Sequence, residues 1–438
     1  MPDELTTVEC DPAPDRPDIP ALTGLRFVAA LSVLIAHGCA AILASHETQY
    51  GVIYWMRQAS GFGMTLFFVL SGFVIHYNYA HLVTSAGARG IGSYLWARFA
   101  RLYPLFLLMM LVYVLVSSRH IDYWSGHPER MNSILLALPY FILSMQSWFY
   151  VIIDGNPLLD AIGGASPITW SISTEWFFYF IYLAFVWLVL RLRTLLVTLP
   201  VIVLWCFVWT VIATGLHNRT APINTWAVLH FGPVADFGER QQDSFVRWLL
   251  YFSPYLRLGE FVLGSLVAQL YAQTLKQKTS WGENSAGTVA FVAAAASVVW
   301  ITYVEYSPDV ATTILREMNM NFALAPSAAL LIFCAARYRG RIFRLLMCRP
   351  VIVLGEASYS IYLVHLVVLT AAARLLSPAG HGIFYDLFDL ALIIVAIFLI
   401  SIALYAFYEA PARRLLRGLW RDRQKLEQPA APGQPLMS

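Results

Sequence analysis

The chain has 438 residues, of which 59% are hydrophobic and 13% are charged, and its formal net charge at pH 7 is +3. Soluble domains carry about 25% charged residues, so this composition excludes an ordinary soluble protein and is typical of a polytopic membrane protein. The small net charge gives no reason to expect nucleic-acid binding. The five cysteines form no CxxC pair, which indicates neither a disulfide framework nor a metal site.

The first segment of the chain, residues 1–19, is acidic and proline-rich and lacks the basic start of a secretory signal peptide. We expect it to be a disordered cytoplasmic tail. The apolar run at 22–45 is long enough to cross a bilayer core, which requires roughly 20 residues. Thr23, after Pro20, is the predicted N-cap of this first helix.

Two ionisable residues interrupt the first apolar run, Arg26 near its start and His37 in its middle. Eleven positions make about three helical turns, so both share one helix face, roughly 16 Å apart along the axis. Ionisable residues at membrane depth are costly and usually face a protein interior or a water-filled cavity, where they have a function. The alternative is a structural hydrogen bond for His37 and snorkelling for Arg26.

Nine further apolar runs of spanning or nearly spanning length follow the first. The ten predicted segments are 22–45, 60–80, 98–118, 170–190, 194–216, 249–272, 286–304, 318–336, 352–376 and 386–408. Segment 133–150 is ambiguous, because Pro139 and Gln146 interrupt it. If it does not span, the Lys and Arg clusters fall in inner loops and both termini are cytoplasmic. We therefore predict an all-α bundle of about ten transmembrane helices, with 133–150 as an interfacial or re-entrant segment.

This topology leaves two long outer segments, about 119–169 and 217–248. Loops of this size are often functional, so the pair is a candidate roof for an acceptor site, although inert loops are an equal alternative. The ionisable residues of the first segment include His120, Asp122, His127, Asp154 and Asp160.

Arg98 and Arg101 are three positions apart at the predicted cytoplasmic surface and project from one helix face. Two guanidinium groups on one face suit a phosphate or pyrophosphate ligand, and an ordinary positive-inside anchor is the alternative. Glu175, among aromatic residues, would orient a catalytic histidine or an acceptor hydroxyl, or else cap its helix. His37 would then act as base or acyl carrier in a reaction that spans the bilayer.

For three other features, a structural interpretation is preferred over a functional one. Ser71-Gly72 would allow two helices to approach closely. Arg257 and Glu260, at i and i+3, are expected to neutralise each other. His365, near mid-membrane, is expected to be a satisfied core histidine rather than a functional one.

Seven short motifs, taken together and in this order, resemble those of the acyltransferase-3 family of integral membrane acyltransferases. The resemblance covers about residues 20–415. The motifs are Leu22-Thr-Gly-Leu-Arg26 with His37, Phe67-Phe-Val-Leu-Ser-Gly72, Arg98-x-x-Arg101-Leu-Tyr-Pro104, Trp170-Ser-Ile-Ser-Thr-Glu175-Trp176, Glu260-Phe-x-x-Gly264, Ser358-Tyr-Ser-Ile-Tyr-Leu-x-His365 and Glu409-Ala-Pro-Ala-Arg413.

The resemblance implies ten transmembrane helices and transfer of an acyl group, usually acetyl, from cytoplasmic acyl-CoA as the donor substrate, without a metal. It implies essential roles for Arg26 and His37, a link between the CoA side and Arg98 with Arg101, and a recurrent position at Glu175. Arg26, Arg98 and Arg101 would then bind the CoA phosphates or line the donor entry. Some members carry a fused C-terminal hydrolase-like domain. Here residues 416–438 are expected to be only a cytoplasmic tail, so the membrane domain, residues 20–415, would have to complete the transfer.

We therefore expect a bacterial inner-membrane O-acyltransferase whose acceptor is a hydroxyl of a polysaccharide, a lipopolysaccharide or another envelope glycan. A small hydroxylated molecule, such as a macrolide sugar, is the alternative acceptor. The rival from another functional class is a transporter or flippase for a lipid-linked sugar, which would not need Arg98 and Arg101.

Overall fold

The computed structural model describes residues 18–118, 129–162, 166–238, 244–306, 322–376 and 382–426. Within these ranges the chain is almost entirely α-helical, with one short two-stranded hairpin. The main helices are α1 (Pro20–Ile42), α2 (Gly51–Arg57), α3 (Ala59–Ser85), α4 (Gly87–Ser118), α5 (Glu129–Ile142), α6 (Trp170–Leu190), α7 (Leu195–His217), α8 (Thr220–Phe231), α9 (Pro254–Thr274), α10 (Trp281–Tyr306), α11 (Ala325–Arg337), α12 (Arg341–Leu346), α13 (Arg349–Glu356), α14 (Ser358–Leu376), α15 (Ile383–Leu404) and α16 (Ala410–Leu426).

Eight helical stretches within the described ranges are long and apolar enough to cross a bilayer, which confirms an all-α polytopic membrane protein. They are Pro20–Ile42, Gly51–Ser85, Gly87–Leu115, Trp170–Leu190, Leu195–His217, Trp281–Val304, Ser358–Leu376 and Ile383–Asp422. Of the other two predicted segments, α9 has 21 residues but carries Arg257 and Glu260. Helix α11 has 13 residues, and the start of its predicted segment lies outside the described ranges. For these two segments, crossing stays a prediction, as does the cytoplasmic placement of both termini.

Several helix ends differ from the predicted ones. Helix α1 begins at Pro20, so the predicted N-cap at Thr23 is wrong; proline is favoured at the first position, where its missing N–H is not needed. The predicted last segment, 386–408, also ends too early, because helical structure continues to Leu426. A π-helical turn, Tyr405–Glu409, leads into α16, and Pro411 again occupies a first-turn position.

Close helix crossings place α3 at the centre of the bundle. A Cβ atom on Gly72 of α3 would collide with the carbonyl oxygen of Phe261 in α9, and one on Gly264 of α9 would collide with that of Val69 in α3. The interpretation of Ser71-Gly72 as a close-approach site is therefore confirmed. Without side chains between them, the two backbones meet directly, which fixes the height of neighbouring α3 residues relative to α9.

The predicted non-spanning segment begins with α5, whose 14 residues extend about 21 Å, less than the roughly 30 Å of a bilayer core. The chain then turns back toward the start of α6. There Gln146 donates to the Thr169 carbonyl oxygen at 3.1 Å, and Ser147 Oγ donates to Ser173 Oγ at 2.9 Å. These contacts agree with a re-entrant or interfacial segment.

The two predicted outer segments pack against each other through aromatic side chains. The Tyr150 ring lies 5.0 Å from the Phe231 ring and 5.2 Å from the Phe245 ring, measured between centroids. Trp248 donates its indole N–H to the Ser147 carbonyl oxygen at 3.1 Å. The segments therefore form one layer.

Of the ionisable residues in the first outer segment, Asp154 and Asp160 fall within the described part of the chain. Asp154 has a positive φ in the turn of the hairpin Ile152–Ile153/Asn156–Pro157 and accepts a hydrogen bond from Ser133. Asp160 lines a separate aromatic cavity, apart from the site described next. His120, Asp122 and His127 lie outside the described residues.

Candidate active site

A cavity of about 80 Å³ lies among α1, α3, α4, α6 and α14. Its wall contains three arginines, Arg26, Arg98 and Arg101, and one carboxylate, Glu175, so positive charges exceed negative ones by two among its lining residues. We call it the arginine cavity. The structure thus brings together four of the five predicted site residues, from three helices. The other lining residues are Met64, Phe67, Phe68, Leu70, Ser71, Val74, Ile75, Leu102, Ser171, Ile172, Tyr179, Ser358, Tyr359 and Tyr362.

Arg98 is not at the protein surface, where the sequence placed it. Its side chain is only 5% exposed, its guanidinium donates to the Tyr79 hydroxyl, and the guanidinium carbon lies 4.5 Å from the Tyr79 ring centroid. Two observations explain the difference. Helix α4 begins at Gly87, eleven residues before the predicted segment, and α16 packs on the part of this added length that contains Gly92, Ser93 and Trp96.

The cover is held by two tryptophans. The indole of Trp420 in α16 stacks on that of Trp96 in α4, with centroids 5.3 Å apart and planes 18° apart. Trp96 donates its N–H to the Leu416 carbonyl oxygen at 2.8 Å, and Trp420 donates its own to Ser93 Oγ at 3.2 Å. The arginine pair therefore begins two residues after a fixed tryptophan and points into the bundle.

Glu175 lies in the second turn of α6, beyond the first-turn position that capping requires. Its carboxylate accepts a hydrogen bond from the Tyr179 hydroxyl, one turn later, at 3.2 Å. Arg101 and Arg98 act on the same carboxylate electrostatically. The structure thus groups Glu175 with the arginines and does not pair it with His37.

His37 has a different partner, His365 of α14. His37 Nδ1 lies 2.9 Å from His365 Nε2, and the two ring planes differ by 3°. His365 is 1% exposed, and its Nδ1 lies 3.2 Å from the Ile361 carbonyl oxygen. His365 is therefore a satisfied core histidine, as expected, but the residue it contacts is a predicted catalytic one. The sequence offered one indication of this contact, a second histidine within a spanning segment.

Tyr362 connects the arginine cavity with the histidine pair. Its ring lines the cavity and lies 5.7 Å from the His365 ring between centroids. Its hydroxyl donates to the Ile168 carbonyl oxygen at 2.8 Å and accepts from Ser171 Oγ at 2.8 Å, so two hydrogen bonds fix the hydroxyl end of the ring. The site thus has two parts, an anion-attracting cavity and a pair of histidines, joined by Tyr362 and by α1.

Comparison with known proteins agrees with this architecture. Residues 19–406 match the acyltransferase-3 family model, which is described as an acyltransferase domain. The chain belongs to the acyltransferase-3 family. It is therefore a multi-pass membrane acyltransferase.

Two relatives illustrate the range of the family. The chain is 26% identical over 406 residues to the acyltransferase MdmB of Streptomyces mycarofaciens. The aligned region covers 91% of this chain and 92% of that protein. It is 23% identical over 410 residues to the peptidoglycan O-acetyltransferase OatA of Listeria monocytogenes serovar 1/2a. That aligned region covers 91% of this chain and 56% of OatA. The chain thus spans little more than half the length of OatA. No solved structure matches it.

Other buried ionisable groups of this acyltransferase have structural partners. Arg257 donates to Glu260 at 2.9 Å, and Thr65 donates to the same carboxylate oxygen at 2.8 Å, which confirms the predicted neutralising pair. His76 lies between the Tyr182 hydroxyl and the Gln269 amide oxygen, each at 3.1 Å. Among the described residues, no group of three or more His, Cys, Asp or Glu side chains is placed to hold a metal ion.

Proposed function

We propose that this protein is an O-acyltransferase that moves an acyl group, acetyl in the first instance, from cytoplasmic acyl-CoA to a hydroxyl of an envelope or exported glycan. The observation that carries the proposal is the arginine cavity. Three guanidinium groups facing one carboxylate inside a membrane bundle are costly unless an anion joins them. Arginine binds phosphate through paired N–H groups, and CoA supplies several phosphates.

The acceptor is the less constrained half of the reaction. The name of the relative OatA supports a glycan, because that protein is a peptidoglycan O-acetyltransferase. The packed layer of the two outer segments is the surface from which we expect such an acceptor to approach. A small hydroxylated acceptor remains an outcome of the acceptor assay described below.

His37 would carry the chemistry by one of two routes. In direct transfer it accepts the proton of the acceptor hydroxyl, the oxygen bonds to the acyl carbon, the carbon–sulfur bond breaks, and the CoA thiolate leaves and takes up the proton. In the two-step route an imidazole nitrogen bonds to the acyl carbon as the thiolate leaves. The acceptor oxygen then bonds to that carbon as the carbon–nitrogen bond breaks, and the freed imidazole takes up the hydroxyl proton and passes it to the thiolate. Glu175 would hold Arg101 and Tyr179 in place at the donor end.

The test uses purified protein in detergent and acetyl-CoA labelled in the acetyl group. Free CoA, protein-bound label and labelled acceptor are followed for wild type and for His37→Ala, with candidate glycans and small hydroxylated molecules as acceptors. His81→Ala, at an exposed histidine of α3, is the matched control. We expect CoA release in wild type and in the control and its loss in His37→Ala.

A melting assay separates the enzyme from the rival transporter. Acetyl-CoA at 100 times its dissociation constant stabilises the protein that binds it by about 2.7 kcal/mol, whereas a lipid-linked sugar transporter is not stabilised. Absence of both a melting shift and CoA release, with every acceptor tried, contradicts the proposed function.

A further inference from the structure

The two histidine rings meet edge to edge in a common plane. Their centroids are 5.1 Å apart and their planes are nearly parallel, while His37 Nδ1 and His365 Nε2 are 2.9 Å apart. The centroid distance exceeds the nitrogen–nitrogen distance by about the width of one imidazole ring, so the two nitrogens lie on the line between the rings. An N–H bond in one ring plane therefore points directly at a lone pair in the other.

The direction of this hydrogen bond follows from the second contact of His365. A carbonyl oxygen can only accept, so His365 Nδ1, 3.2 Å from the Ile361 oxygen, carries a proton. In a neutral imidazole the other nitrogen, Nε2, is then an acceptor. His37 Nδ1 must donate to it, which leaves the lone pair of neutral His37 on Nε2.

We infer that His365 is a positioning residue that holds His37 in the tautomer with its proton on Nδ1, so that Nε2 of His37 is the reacting atom. The chemical meaning of this inference rests on the proposed function. Both routes need an unprotonated ring nitrogen facing the substrate, as base or as nucleophile. A partner on the other nitrogen selects the tautomer and the ring orientation at once.

A histidine suits this task at membrane depth. An aspartate or glutamate would also accept the Nδ1 proton, but it would place a negative charge inside the bundle. The His365 imidazole supplies the acceptor without a charge, and its own tautomer is set by the backbone of α14. The chain of contacts runs from the Ile361 carbonyl through His365 to His37, that is, from one helix to another.

Three substitutions separate positioning from simple packing. His365→Gln keeps an acceptor oxygen near the place of Nε2. His365→Asn keeps a polar amide that is too short to reach His37, and His365→Phe keeps the ring shape without an acceptor. Positioning predicts near wild-type kcat for Gln and a loss of about 100-fold for Asn and Phe, the range of general-base effects. KM for acetyl-CoA should stay unchanged in all three, because none lines the arginine cavity.

The tautomer itself is read by solid-state NMR of 15N-histidine-labelled protein in liposomes, with the His37 signals assigned by their loss in His37→Ala. We expect a neutral His37 with its proton on Nδ1 in wild type, the same in His365→Gln, and loss of this state in His365→Phe. A His37 with its proton on Nε2, or a doubly protonated one at pH 7, overturns the inference. So does a wild-type tautomer that persists in His365→Phe. These spectra test the inference even if the protein shows no turnover. In that case the acyl-transfer assay has already contradicted the proposed function, and the tautomer of His37 is still measured.

Discussion

Arg26 and His37 lie on the same helix, α1, but face different partners: Arg26 lines the arginine cavity, and His37 contacts His365 of α14. Helix α1 is continuous between them, so about 16 Å of helix axis separates the backbone positions of the two residues. Under the proposed function, a donor whose phosphates bind the arginines must therefore be long and extended to present its acyl group to His37. Acyl-CoA, whose pantetheine arm joins the nucleotide to the thioester, has this form.

The first prediction uses a shortened donor. Arg101→Gln should raise KM for acetyl-CoA by about tenfold or more, because a charged hydrogen bond is worth about 1.5–3 kcal/mol. Acetyl-pantetheine, which lacks the phosphates, should be a poor substrate of wild type and should not distinguish wild type from Arg101→Gln. Arg89→Gln, at an exposed arginine of the same helix, is the control. If Arg101→Gln raises KM equally for acetyl-CoA and acetyl-pantetheine, the CoA phosphates do not bind at Arg101.

The second prediction concerns the crossing of α3 and α9. Gly264→Ala should lower the stability of the protein by about 1–3 kcal/mol, because its Cβ would meet the Val69 carbonyl oxygen and push the two helices apart. Gly215→Ala in α7 has open space around the new Cβ and should be neutral or slightly stabilising. Thermal unfolding in detergent measures both. A Gly264→Ala protein that melts with wild type would show that this crossing adapts without cost.

The third prediction separates a buried ion pair from a surface one. Arg257→Met leaves the Glu260 carboxylate buried and without its cation, so we expect a loss of about 3–5 kcal/mol, partly restored in Arg257→Met/Glu260→Gln. Glu47→Gln breaks the more exposed pair with Arg57 and should cost no more than about 1 kcal/mol. Chemical or thermal unfolding gives the comparison. Additive effects of the two buried substitutions would mean that the residues do not interact.

The fourth prediction concerns the tryptophan cover of the donor end. Trp420→Ala removes the stack on Trp96. Helix α16 contains several Arg and Lys residues, at which trypsin cleaves, and we expect the substitution to make them accessible to the protease. The substitution should also raise KM for acetyl-CoA several-fold, because Arg98 follows Trp96 by two residues. Leu419→Ala, at the exposed neighbour, should change neither. Trypsin resistance in Trp420→Ala would mean that other contacts hold the helix.

Much of the fold could be predicted from apolar length alone. The ends of α1, α6 and α7 lie no more than about three residues from the predicted ones, because long apolar runs leave few alternatives in a bilayer. Helix ends were harder, since the polar start of α4 and the polar α16 are stabilised by contact with each other. Neither of these two segments contains an apolar run from which a helix could be predicted.

The candidate site could likewise be predicted only in part. The shared face of Arg26 and His37 follows from helical geometry, and the i, i+3 spacing places Arg98 beside Arg101. The meeting of His37 with His365 joins positions 328 residues apart. No periodicity in either helix predicts which faces will touch. For the same reason the sequence predicts a histidine, an acceptor hydroxyl or a helix cap as the partner of Glu175, and not the arginines.

The order in which the cavity wall is synthesised has a consequence for biogenesis. Its lining runs from Arg26 in the first spanning helix to Tyr362 in α14. Because a chain is made from its N-terminus, the three arginines enter the membrane long before the last wall and before His365 exist. A nascent chain therefore carries these three buried charges before α14 is available to complete the cavity wall and to place His365 beside His37.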